Sequence, residues 1–435
     1  MKKFLAALVI VGNLFFSSVV DAEVKIYSAT GEEVASEFES EEIAKLRALD
    51  KAIELATKQT AVDFKNNFGN ELSDGEISAI IGNGYELGEV VYNRVGNKNF
   101  WQANVEIKID DAEVKNFLRR DDRERFMLTN QSAEARKLFE ANDKRATNLR
   151  ERAKNIKKRE EKKFFKAEFE YVGNEFLSNR KVAEGNKFFY RGRIDDAIKV
   201  YTEAIELNEY NAAAYNRRGN LYNILALNQK NVPIAESNRR MAINDLDKAI
   251  RLNNNYAEAF ANRGFIYYTG KFFGQAIKDF NRAIQLDPNN EWNYIYRAQC
   301  NRQTDKNLAL ADFNKAVELA PNKSYTYFAR GNFFEQDLKD FSKTLEDYSR
   351  AIEFERLENF LALYINNRGG VYQKLKIYDK AIDDYSRAIE LLENSKQKNS
   401  LLPWIYRNRG ECYKAVGDGA RAQADFKRFG ELQRI

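Results

Sequence analysis

The chain has 435 residues, more than one hydrophobic core usually organises, and its 44% hydrophobic and 13% aromatic content is too rich in core material for a disordered protein. Charged residues make up 31% and point to a large solvated surface, yet the net charge of +5 is too small to single out nucleic acid as a partner. Histidine is absent, which removes the commonest general base, the Ser-His and Cys-His nucleophile pairs and every metal site that contains histidine.

Residues 1–22 read as a signal peptide: Lys2 and Lys3 form a basic start, Phe4 to Val20 is mainly apolar, and Val20-Asp21-Ala22 resembles a small-residue cleavage site. Gly12, Asn13, Ser17 and Ser18 interrupt the apolar run, which falls short of the roughly 20 residues of a membrane span. The mature chain is therefore expected to begin at Glu23, exported to the periplasm or cell envelope. No cysteine lies near the cleavage site to carry a lipid.

Residues 23–118 predict a small α+β domain. Strand-like alternation at Val24-Lys-Ile-Tyr27 gives way to a helix from Glu41 to about Asn67, on which Ala44, Ala48, Ala52 and Ala56 form a narrow close-packing stripe. Leu72-Ser-Asp-Gly-Glu76 supplies a turn and an N-cap for a short helix. Two alternating runs, Glu86 to Arg94 and Phe100 to Ile109, joined by Val95-Gly-Asn-Lys-Asn99, signal a hairpin and bring the expected strand number to about four. This alanine-striped domain resembles those of exported bacterial flagellar-assembly proteins and related envelope lipoproteins.

Residues 119–175 are charged and poor in glycine and proline, which predicts a helical linker of one long helix or two. Lys144 to Lys166 carries eleven Lys or Arg against three Glu. That asymmetry suits a solvated helix face or a surface for anionic lipid or glycan. Phe165, Phe169, Val172 and Phe176 make an apolar stripe at helical spacing, expected to cap the first of the repeats that begin at residue 176.

From 176 to 435 the chain repeats itself. One phrase recurs as Tyr215-Asn-Arg-Arg-Gly219, Phe260-Ala-Asn-Arg-Gly264, Tyr327-Phe-Ala-Arg-Gly331, Ile365-Asn-Asn-Arg-Gly369 and Tyr406-Arg-Asn-Arg-Gly410. A second closes each unit, as in Ala276-Ile-Lys-Asp-Phe-Asn-Arg-Ala283 and Ala381-Ile-Asp-Asp-Tyr-Ser-Arg-Ala388. Glycine and alanine let two antiparallel helices approach, aromatics fill the space beside the contact, and Pro288 and Pro321 end units. Seven units are countable, with small residues at Gly185, Gly219, Gly264, Ala298, Gly331, Gly369 and Gly410. The second unit has about eleven extra residues including Asn231-Val-Pro233, expected to bulge as a loop between its helices. In the seventh, Phe429 replaces an alanine, so that end is either self-capped or a contact surface for self-association.

The pattern resembles the tetratricopeptide repeat family, whose units of about 34 residues carry small and aromatic residues in this order. The resemblance implies a mainly α protein: a solenoid of about seven helix pairs, preceded by the charged helix and the α+β domain. It also implies a concave groove for a protein or peptide partner, lined by Phe189, Asn216, Asn220, Asn223, Phe265, Tyr268, Gln299, Arg302, Asn332, Glu335 and Gln373. The lysine clamp that some members use for acidic C-terminal tails is not evident, because its positions hold Val182, Asn216 and Ala261. Unusually for the family, arginine precedes the small residue in six units (Arg218, Arg263, Arg297, Arg330, Arg368, Arg409), and the facing helices carry Asp245, Asp279, Asp312, Asp347, Asp384 and Asp425. Each arginine is expected to pair with an aspartate across the two helices or with the neighbouring unit, as a structural ladder.

The repeat register sets Cys300 and Cys412 three units apart, far beyond the ~7 Å that a disulfide spans, so both should be free. Gly264 to Gly270-Lys271 fails as a phosphate loop: five residues separate the glycines and Phe272 replaces the hydroxyl residue. Asp195-Asp196 and Asp383-Asp384 are adjacent and point apart on a helix. No catalytic residue, metal site or cofactor is expected. The function expected is a non-enzymatic, extracytoplasmic peptide- or protein-binding scaffold; the alternative is envelope attachment through the basic linker.

Overall fold

Alanine at every fourth position leaves one side of a helix flat, and a flat helix can lie close on a sheet. In α1 (Glu41–Phe68), Ala44, Ala48, Ala52 and Ala56 are all fully buried. They pack with Trp101, Ala103, Val105 and Ile107 of an antiparallel sheet that, among the described residues, has three strands rather than four, in the order β1 (Val24–Val34), β3 (Phe100–Asp110), β2 (Glu86–Arg94). Pairing of β1 with β3 runs unbroken from Val24↔Asp110 to Val34↔Phe100, whereas β2 slips once between Leu87 and Val90. Gly31 shows how tight the layer is: a Cβ there would meet the carbonyl oxygen of Ala48 at 2.1 Å. Ser73 and Glu76 form a full capping box at the start of α2 (Asp74–Gly84). The computed structural model describes residues 24–34, 37–68, 72–94, 100–110, 112–120, 122–154, 156, 159–394 and 399–433; the segment read as a signal peptide and the hairpin turn 95–99 lie outside them.

Two compact units divide the chain, one ending at Asn254 and the other beginning at Asn255. In the first, the sheet layer is followed by α3 (Ala112–Leu118), α4 (Asp122–Ala153) and α5 (Arg159–Tyr190). Helix α5 passes through residue 175 without a break, so the linker and the first helix of the first repeat are one rod. Its Phe165, Phe169 and Val172 do not cap that repeat. They pack on Ala146, Leu149 and Ala153 of α4, because the antiparallel partner supplies the nearest apolar stripe. Fully buried Arg47 ties α4 to the sheet layer, pairing with Glu39 at 3.2 Å and donating to Asn142 at 2.8 Å. Burial lowers the Arg47 pKa, and the Glu39 carboxylate opposes the shift. Further along, Arg180 Nε donates to both carboxylate oxygens of Asp50 (2.9 and 3.1 Å), and the Lys187 ammonium sits 3.4 Å from the centre of the Tyr85 ring.

Repeat one is completed by α6 (Ile194–Leu207), and repeat two is α7 (Ala212–Asn228) with α8 (Val232–Leu252). The extra residues of repeat two do not form a loop. They lengthen both helices, leaving only 229–231 between them. Asn231 caps α8 by accepting from the Ile234 backbone N–H, and Pro233 occupies its first turn, so Asn-Val-Pro starts a helix here.

The second unit holds five helix pairs: α9 (Ala257–Thr269) with α10 (Phe273–Leu286), α11 (Glu291–Asn301) with α12 (Lys306–Leu319), α13 (Ser324–Phe333) with α14 (Phe341–Phe354), α15 (Glu358–Lys374) with α16 (Tyr378–Asn394), and α17 (Leu402–Ala415) with α18 (Gly419–Gln433). At Gly331 a Cβ would stand 2.9 Å from the Tyr348 ring, so glycine is required at that crossing. Phe429 packs on Trp404 at the end of the array, with ring centres 5.5 Å apart. Cys300 and Cys412 are free and buried, which pushes their thiols up to about 12 and about 11. No described helix is long and apolar enough to cross a membrane.

All six arginines form the ladder. Each forks onto its own unit's aspartate through Nε and Nη2, with every bond between 2.6 and 2.9 Å. Five also use Nη1 to reach back to the second helix of the preceding repeat: Arg218 to Thr202, Arg297 to Asn281, Arg330 to Asn314, Arg368 to Ser349 and Arg409 to Ser386, at 2.7–3.1 Å. The partner always follows the buried aromatic of the closing phrase. One guanidinium thus fixes three helices.

Asp347 is only 2% exposed, so removing its partner leaves a carboxylate without compensation. Arg330→Met should cost about 3 kcal/mol in urea unfolding, and adding Asp347→Leu should recover more than half. An unchanged midpoint in the single variant would refute a structural role for the ladder. A second measurement concerns Lys187, whose pKa burial, reinforced by Arg191, depresses to about 7. Below pH 7 the folded and unfolded states both hold the proton and the penalty for the buried charge is complete. Between pH 7 and 10.5 the unfolded state alone stays protonated, so stability rises with pH. Lys187→Met should therefore stabilise the protein more at pH 6.5 than at pH 9.5, by about 2 kcal/mol in paired denaturation curves.

Candidate functional site

In a stack of helix pairs the layer whose members lie closest together is on the inside of the curve. In the second unit α9 touches α11 and α15 touches α17, whereas among the described residues no two neighbouring second helices come as close. The first helices therefore form the inner face. Residues three and four apart share one side of a helix, and this brings Tyr268 of α9, Gln299 of α11, Arg302 at its end, Glu335 just beyond α13 and Gln373 of α15 onto that face, whereas Phe265 and Asn332, 6% and 3% exposed, are buried beneath it and do not line an open groove.

Aromatic rings pack along these helices: Phe265, Tyr296 and Tyr364 are buried, and Tyr268, Trp292, Tyr325 and Phe328 are half-buried. Tyr296 lies 4.9 Å from Phe265 and 5.5 Å from Tyr268, centre to centre. Trp292 stacks on Tyr325 at 4.2 Å with planes 13° apart, and Phe328 stands 4.4 Å from Tyr364. The expected polar positions are already engaged within the protein. Gln299 accepts from Arg302 at 3.0 Å, and the Tyr348 hydroxyl sits between Asn332 (2.8 Å) and Glu335 (2.7 Å). Gln373 accepts from Tyr385 at 2.8 Å, and Glu335 also pairs with Lys374. Burial is the main cause raising the Tyr348 pKa, so that hydroxyl stays protonated and can donate. Three polar atoms on these helices have no partner although solvent does not reach them: Trp292 Nε1, Asn293 Nδ2 and Asn366 Oδ1. An unpaired buried donor or acceptor is costly and calls for a ligand atom or water.

Arg302 is held by an irregularity. Eleven positions separate Ala298 from Ala309 and thirteen separate Gly331 from Thr344, where twelve separate Gly264 from Ala276. The surplus residue coils into a π-helical turn, Phe334–Leu338, which ends at Lys339 in the left-handed region (φ 56°). Asp337 on that turn reaches back across the shortened turn of the preceding pair. It accepts from Arg302 (Nε, 2.9 Å) and Gln303 (3.1 Å), while its carbonyl takes Lys306 Nζ at 2.8 Å. The complementary lengths are visible in the sequence spacing, though nothing in one turn alone announces the contact.

The first unit differs. Phe189, Asn216, Asn220 and Asn223 are 6%, 0%, 7% and 3% exposed, so these four positions do not line an open groove. The start of α4 covers them. Asn220 Nδ2 lies 3.0 Å from Met127 Sδ, neighbouring Arg217 pairs with Glu134, and Phe189 joins one core with Leu128, Phe117 and Ile77. The missed signal is the apolar content of Met127 and Leu128 within a segment dominated by charge. Among the described residues no group of three Cys, Asp or Glu side chains is placed to hold a metal.

Tetratricopeptide repeat profiles match residues 185–223, 257–290 and 362–395. Human RNA polymerase II-associated protein 3 is 33% identical over 107 residues, a match covering 25% of this chain and 14% of that protein. Hsp70-Hsp90 organizing protein 2 of Arabidopsis thaliana is 24% identical over 130 residues, covering 30% of this chain and 21% of that one. This chain therefore spans a small part of the length of these relatives. Among solved structures, the first tetratricopeptide repeat domain of Spaghetti bound to an HSP90 peptide is 24% identical, with a TM-score of 0.26, covering 29% of this chain and 92% of that one. The chain carries tetratricopeptide repeats, and its fold is a mainly helical solenoid with a small sheet near the N-terminus.

Asp337→Asn removes the charge that holds Arg302. It should lower the stability of the protein by about 1–2 kcal/mol, read from urea unfolding. Deleting Leu338 instead, which shortens the π turn to the common length, should cost at least as much if the turn exists to deliver Asp337.

Proposed function

We propose that this protein is a non-enzymatic, exported scaffold whose second unit binds an extended peptide segment of a partner protein along the inner face of its first helices. The observations that carry this reading are the unpartnered buried donor Trp292 Nε1, on a ring stacked against Tyr325, and the unpartnered buried acceptor Asn366 Oδ1. A donor and an acceptor, both shielded from water, fit a chain that offers carbonyl and amide groups in alternation, and the rings fit its side chains. The relatives lend support by their names, which describe an organizing protein and a repeat domain bound to a peptide. The signal-peptide reading of residues 1–22 supports export to the periplasm or envelope. Because Val182, Asn216 and Ala261 stand where a lysine clamp would be, acidic C-terminal tails are not the proposed ligands.

The test is a photo-crosslinking residue at Tyr268 or Gln299, compared with one at Lys315 on a second helix. Crosslinked partners should be specific to the inner positions. Trp292→Ala and Asn366→Ala should each weaken capture of the identified peptide about tenfold while leaving the circular dichroism unchanged. Equal labelling from Lys315, or unchanged affinity in both variants, would rule the groove out.

A further inference from the structure

We propose that the α4–α5 hairpin is a docking surface for an anionic phospholipid bilayer, independent of the peptide-binding face. The stretch Lys144 to Lys166 holds eleven Lys or Arg and three Glu; its described residues form the ends of two antiparallel helices, and Lys157 and Lys158 lie outside the described residues. Some of the charge is paired: Arg145 with Glu175, Arg152 with Glu168, Lys154 with Glu151 and Lys162 with Glu37. These side chains remain 43–63% exposed on the basic side. Lys144, Lys163 and Lys166 have no ion-pair partner among the described residues.

Two rings set this surface apart from a merely solvated basic helix. Phe165, Phe169 and Val172 face α4 and are buried, yet Phe164 is 61% exposed. Tyr171 is 43% exposed and lies two turns further along the same side of α5. Phe164 has lysines on either side in sequence, Lys163 and Lys166. Lys163 and Lys166 project to other sides of α5 than Phe164 does, but an aromatic ring held in water gains little from a soluble polyanion. At a bilayer it enters the headgroup boundary while the lysines meet lipid phosphates. Between the helices lies an open cleft of about 340 Å³ lined by Lys144, Arg145, Asn148 and Arg152 with Glu168, in which Arg145 and Arg152 are paired with Glu175 and Glu168 and Lys144 is not. The ring is the reason for choosing lipid over a wall glycan.

The experiment is flotation of the full mature chain with vesicles of phosphatidylcholine alone and of phosphatidylcholine with phosphatidylglycerol at about 3:1. The protein should float with the anionic vesicles only, and largely detach at about 0.5 M salt. Removing lysines in Lys163→Gln and Lys166→Gln should lower partitioning about fivefold each, and Phe164→Ser should lower it several-fold at every salt concentration. These are exposed positions, so unchanged melting temperatures separate lost docking from lost folding. Inorganic phosphate that displaced the protein from vesicles at millimolar concentration would show a free-anion site and overturn the proposal. So would equal flotation with neutral vesicles, no flotation, variants that float like the parent, or binding to a soluble anionic glycan with none to vesicles.

Discussion

The three-way grip of one guanidinium is the constraint on which the repeat array depends. Small residues at the helix crossing allow close approach but do not say how far one helix slides along the other. A fork onto a carboxylate does, because two parallel bonds fix both distance and direction. The remaining Nη1 then sets the preceding helix against the same point. Partly buried ion pairs contribute little net stability once desolvation is counted, and their better-attested use is to specify register. Repetition of the fork in six units, and of the third arm in five, accords with that use. Lysine would not replace arginine here, since its single ammonium cannot bond in three fixed directions.

Register in turn decides which side chains face inward. With the crossing fixed at Gly331 and Asp347, Asn332 and Glu335 fall one and four residues further along α13 and its π turn, where the Tyr348 hydroxyl can reach both. A slip of one residue would carry them away from it. The inner face of the second unit is therefore ordered before any ligand arrives. In the first unit α4 fills the same face with Met127 and Leu128, so its buried amides belong to the folding core rather than to an open surface.

Much of this was legible in the sequence because it is local or recurrent. The alanine stripe of α1, the Ser73–Glu76 box and both hairpin strands follow from short-range periodicity and cap chemistry. The arginine-aspartate pairing was legible because repetition displayed it six times. Its third arm was not, although Thr202, Asn281, Asn314, Ser349 and Ser386 stand inside the closing phrase; a small polar residue beside a conspicuous aromatic carries no obvious geometric meaning until the preceding helix is in place. Asn231-Val-Pro233 carries no unique signal, because asparagine and proline serve turns and helix starts alike. The partner of the Phe165 stripe, and the covering of Asn216 and Asn220, depend on contacts distant in sequence that no periodicity reports.

The engagement of the expected groove amides changes what kind of ligand the second unit selects. Had Asn332, Gln299 and Gln373 been free, recognition would rest on many adaptable side chains, each losing rotamer freedom on binding. Instead their oxygens already accept from Tyr348, Arg302 and Tyr385, and the half-buried rings of Tyr268, Trp292, Tyr325 and Phe328 remain for contact. Rings have few torsions to lose and tolerate varied side chains, so they supply affinity without fine discrimination. Discrimination then falls to the buried atoms left unpaired, Trp292 Nε1 and Asn366 Oδ1 among them. An apolar ligand would keep Trp292 Nε1 and Asn366 Oδ1 dry and unsatisfied, at a cost of the order of 1–3 kcal/mol for each. A peptide backbone presents both an acceptor and a donor at every residue, which makes it the simplest ligand that resolves both.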